Sequence, residues 1–359
     1  MRKGLVVLNM VFYMITAAIL MIQVPYSIAK EEICPTLLNQ MISDIFTKSE
    51  DRNRRNLDVE QTLKINGKCA TPLIHYALKH RELLWPENRF ILYRPDNPSF
   101  SRYYSPDRLL DLTYNTPEGH FKIHYTESVD NAVFNSDGDP STIPDYVIQY
   151  GSYFEDSWDY ETNILGYNPP HSDGTNGGDN RFDVYIMDIT YYGYTSIENG
   201  HPYTVVDNDY SSCQTNFDPE GSRIGSMKVT AAHELFHAIQ FFYDDWCDGC
   251  LWWEENTALW MEDEVFDYVD DYLRYLKDKL LNMELPMDDE RYMSSKYGGV
   301  IWAKFLSETY GKDIIRDIFE RLSTNNSPAK YAIEYTLLYD YYSNWGEAMT
   351  RFCLKNLTL

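Results

Sequence analysis

Apolar residues run almost unbroken from Gly4 to Val24, behind Met1-Arg2-Lys3 and ahead of Tyr26-Ser27-Ile28-Ala29. This pattern predicts a signal peptide over residues 1–29, cut after Ala29. The apolar run also approaches membrane-spanning length, so the alternative is an uncleaved N-terminal anchor, the one route by which the chain would touch a membrane. Either way the remainder is expected to be secreted or extracellular. After residue 30 charges recur every few positions, too often for a second span.

From Cys34 to about Leu110 the chain is polar and irregular. Helical patches at Leu37 to Phe46 and Leu73 to Leu84 are followed by proline-broken turns, which suits a wrapping segment or a propeptide over 30–117. Alternation in His120 to Tyr125 then predicts a half-buried strand. Ile143 to Leu165 reads as a helix with Tyr146, Val147, Tyr150, Phe154 and Trp158 inside, and Arg181 to Ile189 and Tyr203 to Asp207 as further strands. Past Gly225 the period turns helical, with helices expected over Met227 to Tyr243, Trp253 to Met283, Ser294 to Tyr310, Ile314 to Leu322 and Tyr341 to Leu354. The expected architecture is α+β: a sheet-bearing N-terminal lobe over 118–243 and a mainly helical lobe over 244–359.

Charge narrows the partners. A formal net charge of -24, more negative still without Arg2 and Lys3, repels nucleic acid and anionic lipid. All six cysteines (34, 69, 213, 247, 250 and 353) lie beyond residue 29, and an even number in an oxidising compartment favours disulfides. Connectivity stays open: the expectations are a small loop through Cys247 and Cys250, or one partner each for Cys213 and Cys34/Cys69, and for the latter two a direct Cys34 to Cys69 bridge. Against that bridge stands a latency reading, in which Cys34 or Cys69 caps a metal as thiolate.

The metal is suggested by His233-Glu234-Leu235-Phe236-His237, set in a helical pattern without proline or glycine. Spacing of i, i+4 puts both imidazoles on one face, about 5.4 Å apart along the axis, close enough to share a zinc ion. Glu234, rotated by about 100° from His233, stands where a general base acting on metal-activated water must be. The flanking alanines and large apolar residues imply a buried helix, where a charged Glu234 needs a partner such as a metal. A catalytic zinc takes three protein ligands, so one more is sought downstream, among Glu254, Glu255 and Glu262.

There the chain resembles the gluzincin metallopeptidases, whose first motif is followed by W-x-x-E-x-x-A-x-x-x-E on a second helix; Trp252, Glu255, Ala258 and Glu262 match it position by position. The resemblance implies a zincin-like fold and a secreted zinc metalloprotease acting on protein or peptide substrates. By it Glu255 is the third ligand, Glu262 orients a ligand histidine, and Tyr297, opening Tyr297-Gly298-Gly299, stabilises the oxyanion. The gap from His237 to Glu255 is a residue or two short, and Asn256 replaces the usual glycine. A wider likeness over roughly 118 to 310 is to poorly characterised secreted microbial metalloproteases, in which the strand before the zinc helix lines the cleft. That makes Tyr203 to Asp207 the expected substrate-pairing edge. The alternative is a non-catalytic surface or adhesion module that keeps the zincin fold. Finally, Asn135, Asp137, Asp139 and Asp145 are spaced as a calcium loop would be, against a plain Asx-rich turn.

Overall fold

The computed structural model describes residues 34–46, 68–103, 110–135, 139, 141–172, 174–243, 247, 249–281, 285–288, 296–325 and 328–357. The signal or anchor segment over 1–29 lies outside them, as do Asp137 and Trp246. Among the described residues no helix is long and apolar enough to cross a membrane.

One mixed sheet of five strands has the order β1-β2-β3-β5-β4. The strands are β1 (Leu112–Asn115), β2 (Phe121–Tyr125), β3 (Phe182–Met187), β4 (Gly193–Glu198) and β5 (His201–Asp207). β2, β3 and β5 run parallel, while β1 and β4 are antiparallel to their neighbours. Asn199-Gly200, both at positive φ (54° and 84°), forms the tight turn from β4 to β5. The expectation that Tyr203 to Asp207 forms the edge is therefore corrected. β5 is flanked on both sides, and the edge beside it is β4, a strand that its polar Thr195-Ser196 and flanking glycines hid from the alternation rule.

Alternation on β3 divides the molecule. Phe182, Val184 and Ile186 join the main core with α4 (Asp145–Trp158) and α5 (Ser222–Tyr243). Tyr185 and Met187 face the other way, into a second core with Tyr194, Tyr203 and Val205. Over that face lie helices of the N-terminal segment, α1 (Pro35–Ile45), α2 (Thr71–Lys79) and α3 (Pro98–Tyr103), which insert Leu38, Ile42, Ile74 and Phe100. Fully burying each such side chain stabilises by about 1.5–3 kcal/mol, so this segment is a bonded layer of the fold. β3, covered on both faces, is buried at every residue.

Seven of the predicted helical stretches persist with altered ends. α4 starts only after Pro144, whose ring cannot sit in a helix interior, and its last turn widens into a π-helix over Asp159–Ile164. The long helix expected over Trp253 to Met283 is two, α6 (Leu251–Val265) and α7 (Leu273–Leu281). They part at Asp270, left-handed at φ 51°, a conformation that ends a helix. α8 (Val300–Tyr310), α9 (Asp313–Asn325), α10 (Ala329–Tyr339) and α11 (Trp345–Leu357) complete the chain. The main core continues from the sheet through α5 and α6 into these helices without a break.

Candidate metal centre

α5 is apolar around most of its circumference and is buried from Gly225 to Phe241, which makes it the central helix of the main core. It carries His233 and His237 one turn apart, with their Nε2 atoms 3.0 Å from each other. α6 packs beside it and brings Glu255, whose Oε1 is 3.2 Å from His237 Nε2 and whose Oε2 is 3.8 Å from His233 Nε2. A fourth residue comes from the N-terminal layer. Cys69, immediately before α2, completes a buried Cys69/His233/His237/Glu255 group whose ligand atoms all lie within 4.8 Å of one another.

The donor set fits a zinc ion. Bonds of 2.0–2.1 Å in a tetrahedron give ligand-to-ligand edges of about 3.3 Å, close to the nitrogen and oxygen separations seen. Both carboxylate oxygens of Glu255 are buried without a hydrogen-bond donor in good geometry, a costly state for a charged group unless a cation satisfies them. Each imidazole is also fixed from behind: His233 Nδ1 lies 2.6 Å from Glu262 Oε1 and His237 Nδ1 lies 2.7 Å from Gln240 Oε1. Nδ1 thus donates, and both Nε2 lone pairs turn into the cluster. Gln240 is held in turn by the carbonyl of Glu254 at 2.9 Å and by Thr257 Oγ1 at 3.1 Å. Glu254 itself contributes no ligand atom to the group.

Glu234 lies beside the cluster and is fully buried, with Thr71 Oγ1 and Thr195 Oγ1 each 3.0 Å from its Oε2. Burial raises the Glu234 carboxyl above the usual range, although the nearby His237 works the other way. For Glu255 burial raises, but the close approach and charge of the two histidines, His237 first, outweigh it, and the net shift is downward. His233 is pushed well below the ordinary imidazole value by burial and by His237. For His237, burial also lowers, but Glu255 prevails and the net shift is upward. Burial, with the charges of Glu234 and Glu255 behind it, pushes the Cys69 thiol well up.

Behind Glu262 stands a closed ionic chain. Lys68 Nζ pairs with Glu262 Oε2 and lies 2.9 Å from Asp271 Oδ2, which is 3.0 Å from Arg274. Two acids and two bases balance, and removing one member of such a buried set typically costs about 3–5 kcal/mol. Tyr297 is buried against Tyr275, ring centroids 4.9 Å apart, with its hydroxyl 3.4 Å from the amide nitrogen of Cys69. Gly193 on β4 lets the edge strand approach α5; a Cβ there would stand 2.9 Å from Thr230 Cγ2 and 3.0 Å from Glu234 Cγ.

Other expectations fare differently. Cys34 and Cys69 are both free, which corrects the expected bridge: Cys34 is exposed, where its Sγ caps α1 by accepting from Leu37 N, and Cys69 faces the metal cluster. Cys247 and Cys250 are paired. In the calcium candidate Asp139 Oδ1 accepts from Ser141 N at 2.9 Å and from Ser141 Oγ at 2.7 Å, an exposed Asx turn. Asn135 there is left-handed at φ 56° and Asp145 is exposed at the start of α4. Lys68, Thr71, Thr195 and Gln240 went unnoticed in the sequence. Only Gln240 left a signal there, three positions after His237 on the same helix.

No protein-family model matches the chain, and no curated protein matches it. The site itself therefore defines the class: a mixed α+β protein with a buried Cys/His/His/Glu group that can hold a metal ion.

Proposed function

We propose that the protein is an exported zinc metallopeptidase on the gluzincin plan, with His233, His237 and Glu255 as ligands. The observation that carries this reading is the position of Glu234. It is an acid with no ligand role, on the same helix as the two histidines, buried within the reach of the cluster and hydrogen-bonded by two threonine hydroxyls. Zinc held there would supply Lewis acidity, lowering the pKa of a water molecule and polarising a peptide carbonyl. Glu234 takes the proton from the attacking water and returns it to the leaving amine, a task suited to a carboxyl whose proton affinity is raised by burial. Glu262 and Gln240 keep both imidazoles in one tautomer throughout. Tyr297, whose hydroxyl lies in the same buried region, donates to the developing oxyanion. An extended peptide adds to the sheet edge at β4. A strongly acidic molecule of this kind acts on protein or peptide substrates outside the cell and has no business with nucleic acid.

A non-catalytic module that merely keeps the metal is the second reading, and one observation favours it: Cys69 offers a fourth protein ligand, and closed four-ligand zinc sites are structural. Substitution separates the two. In whichever form of the chain hydrolyses casein, Glu234→Gln should retain the metal and lower turnover by at least roughly 100-fold. Hydrolysis unchanged by that substitution would remove Glu234 from the mechanism.

A further inference from the structure

We propose that Lys68–Thr71 is a built-in inhibitor of the metal site, so that the chain as folded is the latent form of the peptidase; this rests on the peptidase reading above. Three of these four consecutive residues engage the groups of the site. Lys68 binds Glu262, the carboxylate that orients His233, and its buried ammonium is shared with Asp271. Cys69 places Sγ in the ligand group, in the corner that hydrolysis must leave to water. The backbone of Cys69 lies against the Tyr297 hydroxyl, with its nitrogen at 3.4 Å and its carbonyl at 3.5 Å. Thr71 Oγ1 donates to Glu234 at 3.0 Å.

The backbone of the same stretch takes the place of a peptide substrate. Tyr192 N donates to Lys68 O at 2.9 Å and Ala70 N to Gly193 O at 3.0 Å, and Cys69 bridges Gly193 in parallel. The other side of Gly193 is paired with Val206 of β5, so the inhibitor lies along the outer edge of the sheet, where an added strand would go. His233, His237 and Glu255 are left with no exposure at all. A peptide can reach them only when Lys68–Thr71 withdraws from the β4 edge.

Cobalt(II) substitution tests the sulfur contact without relying on activity. The cobalt-loaded full chain should show a near-ultraviolet thiolate-to-metal charge-transfer band. Cys69→Ala should lose that band, keep its metal, and hydrolyse casein at least roughly tenfold faster than the parent, while Cys69→Ala/Glu234→Gln falls to the parental level or below. Circular dichroism checks the fold, with Cys69→Ser replacing the alanine variant should that one not fold. A parent without the band overturns the proposal. A band with parent and variant equally active overturns the latency and leaves the peptidase reading standing. A band with neither protein active overturns both, and Cys69 is then the fourth ligand of a closed structural site.

Discussion

His233 shows how much one residue's role depends on partners remote in sequence. Its place beside His237 could be read from spacing alone, but the carboxylate that fixes its ring comes from α6 and the ammonium behind that from the N-terminal layer. Spacing on one helix is legible because the helix geometry is universal. Lys68, Cys69 and Thr71 meet α5 and α6 across more than 160 positions, and no local pattern encodes such a meeting. Cys69 could be foreseen only as one of two alternatives, a bridge to Cys34 or a metal cap. Residue-scale electrostatics also makes a prediction away from the metal. Glu161, in the π-turn after α4, is fully buried, neither carboxylate oxygen has a hydrogen-bond partner, and burial raises its carboxyl well above the ordinary value of 4.5. Below that value both states hold the proton; above it the unfolded chain releases the proton while the folded chain keeps it. Stability from this group therefore falls as pH rises, by up to about 1.4 kcal/mol per pH unit. Glu161→Gln cannot titrate, so urea unfolding should show it gaining on the parent between pH 5 and pH 8. A stability difference independent of pH would contradict this.

Among the elements, those with a strong period were readable and those defined by neighbours were not. α5 and α6 announce themselves because nearly every residue on them is apolar or chemically committed. β1 and β4 are short or polar and exist because β2 and β5 offer edges to pair with. α10, preceded by Pro328, was passed over because its apolar face is divided by tyrosines and a glutamate. The close approach of β4 to α5 tests the packing that forms the site. Gly193→Ala places a methyl 2.9 Å from Thr230 Cγ2 and 3.1 Å from the carbonyl of Val205. Overpacking of this kind costs about 1–3 kcal/mol, and thermal or urea unfolding should show it. A variant as stable as its parent would mean that β4 and α5 can separate without loss.

At the level of the whole molecule, a sheet covered on both faces leaves one edge beside a buried cluster of metal-binding groups. The α+β class was legible from the change of period near Gly225, and the helical patches at Leu37 to Phe46 and Leu73 to Leu84 were too, whereas the sheet face they cover was not, because it takes the tyrosines of β3 and β5 in three dimensions to define it. Acidity over the whole chain repels anionic groups, while the cluster's own buried acids call for a cation. In the function proposed above this cation is zinc. Elemental analysis of the purified chain by plasma mass spectrometry should find about one zinc per chain, lost when His233 and His237 are both replaced by alanine. A folded chain without zinc, or with zinc that survives the double substitution, would contradict it.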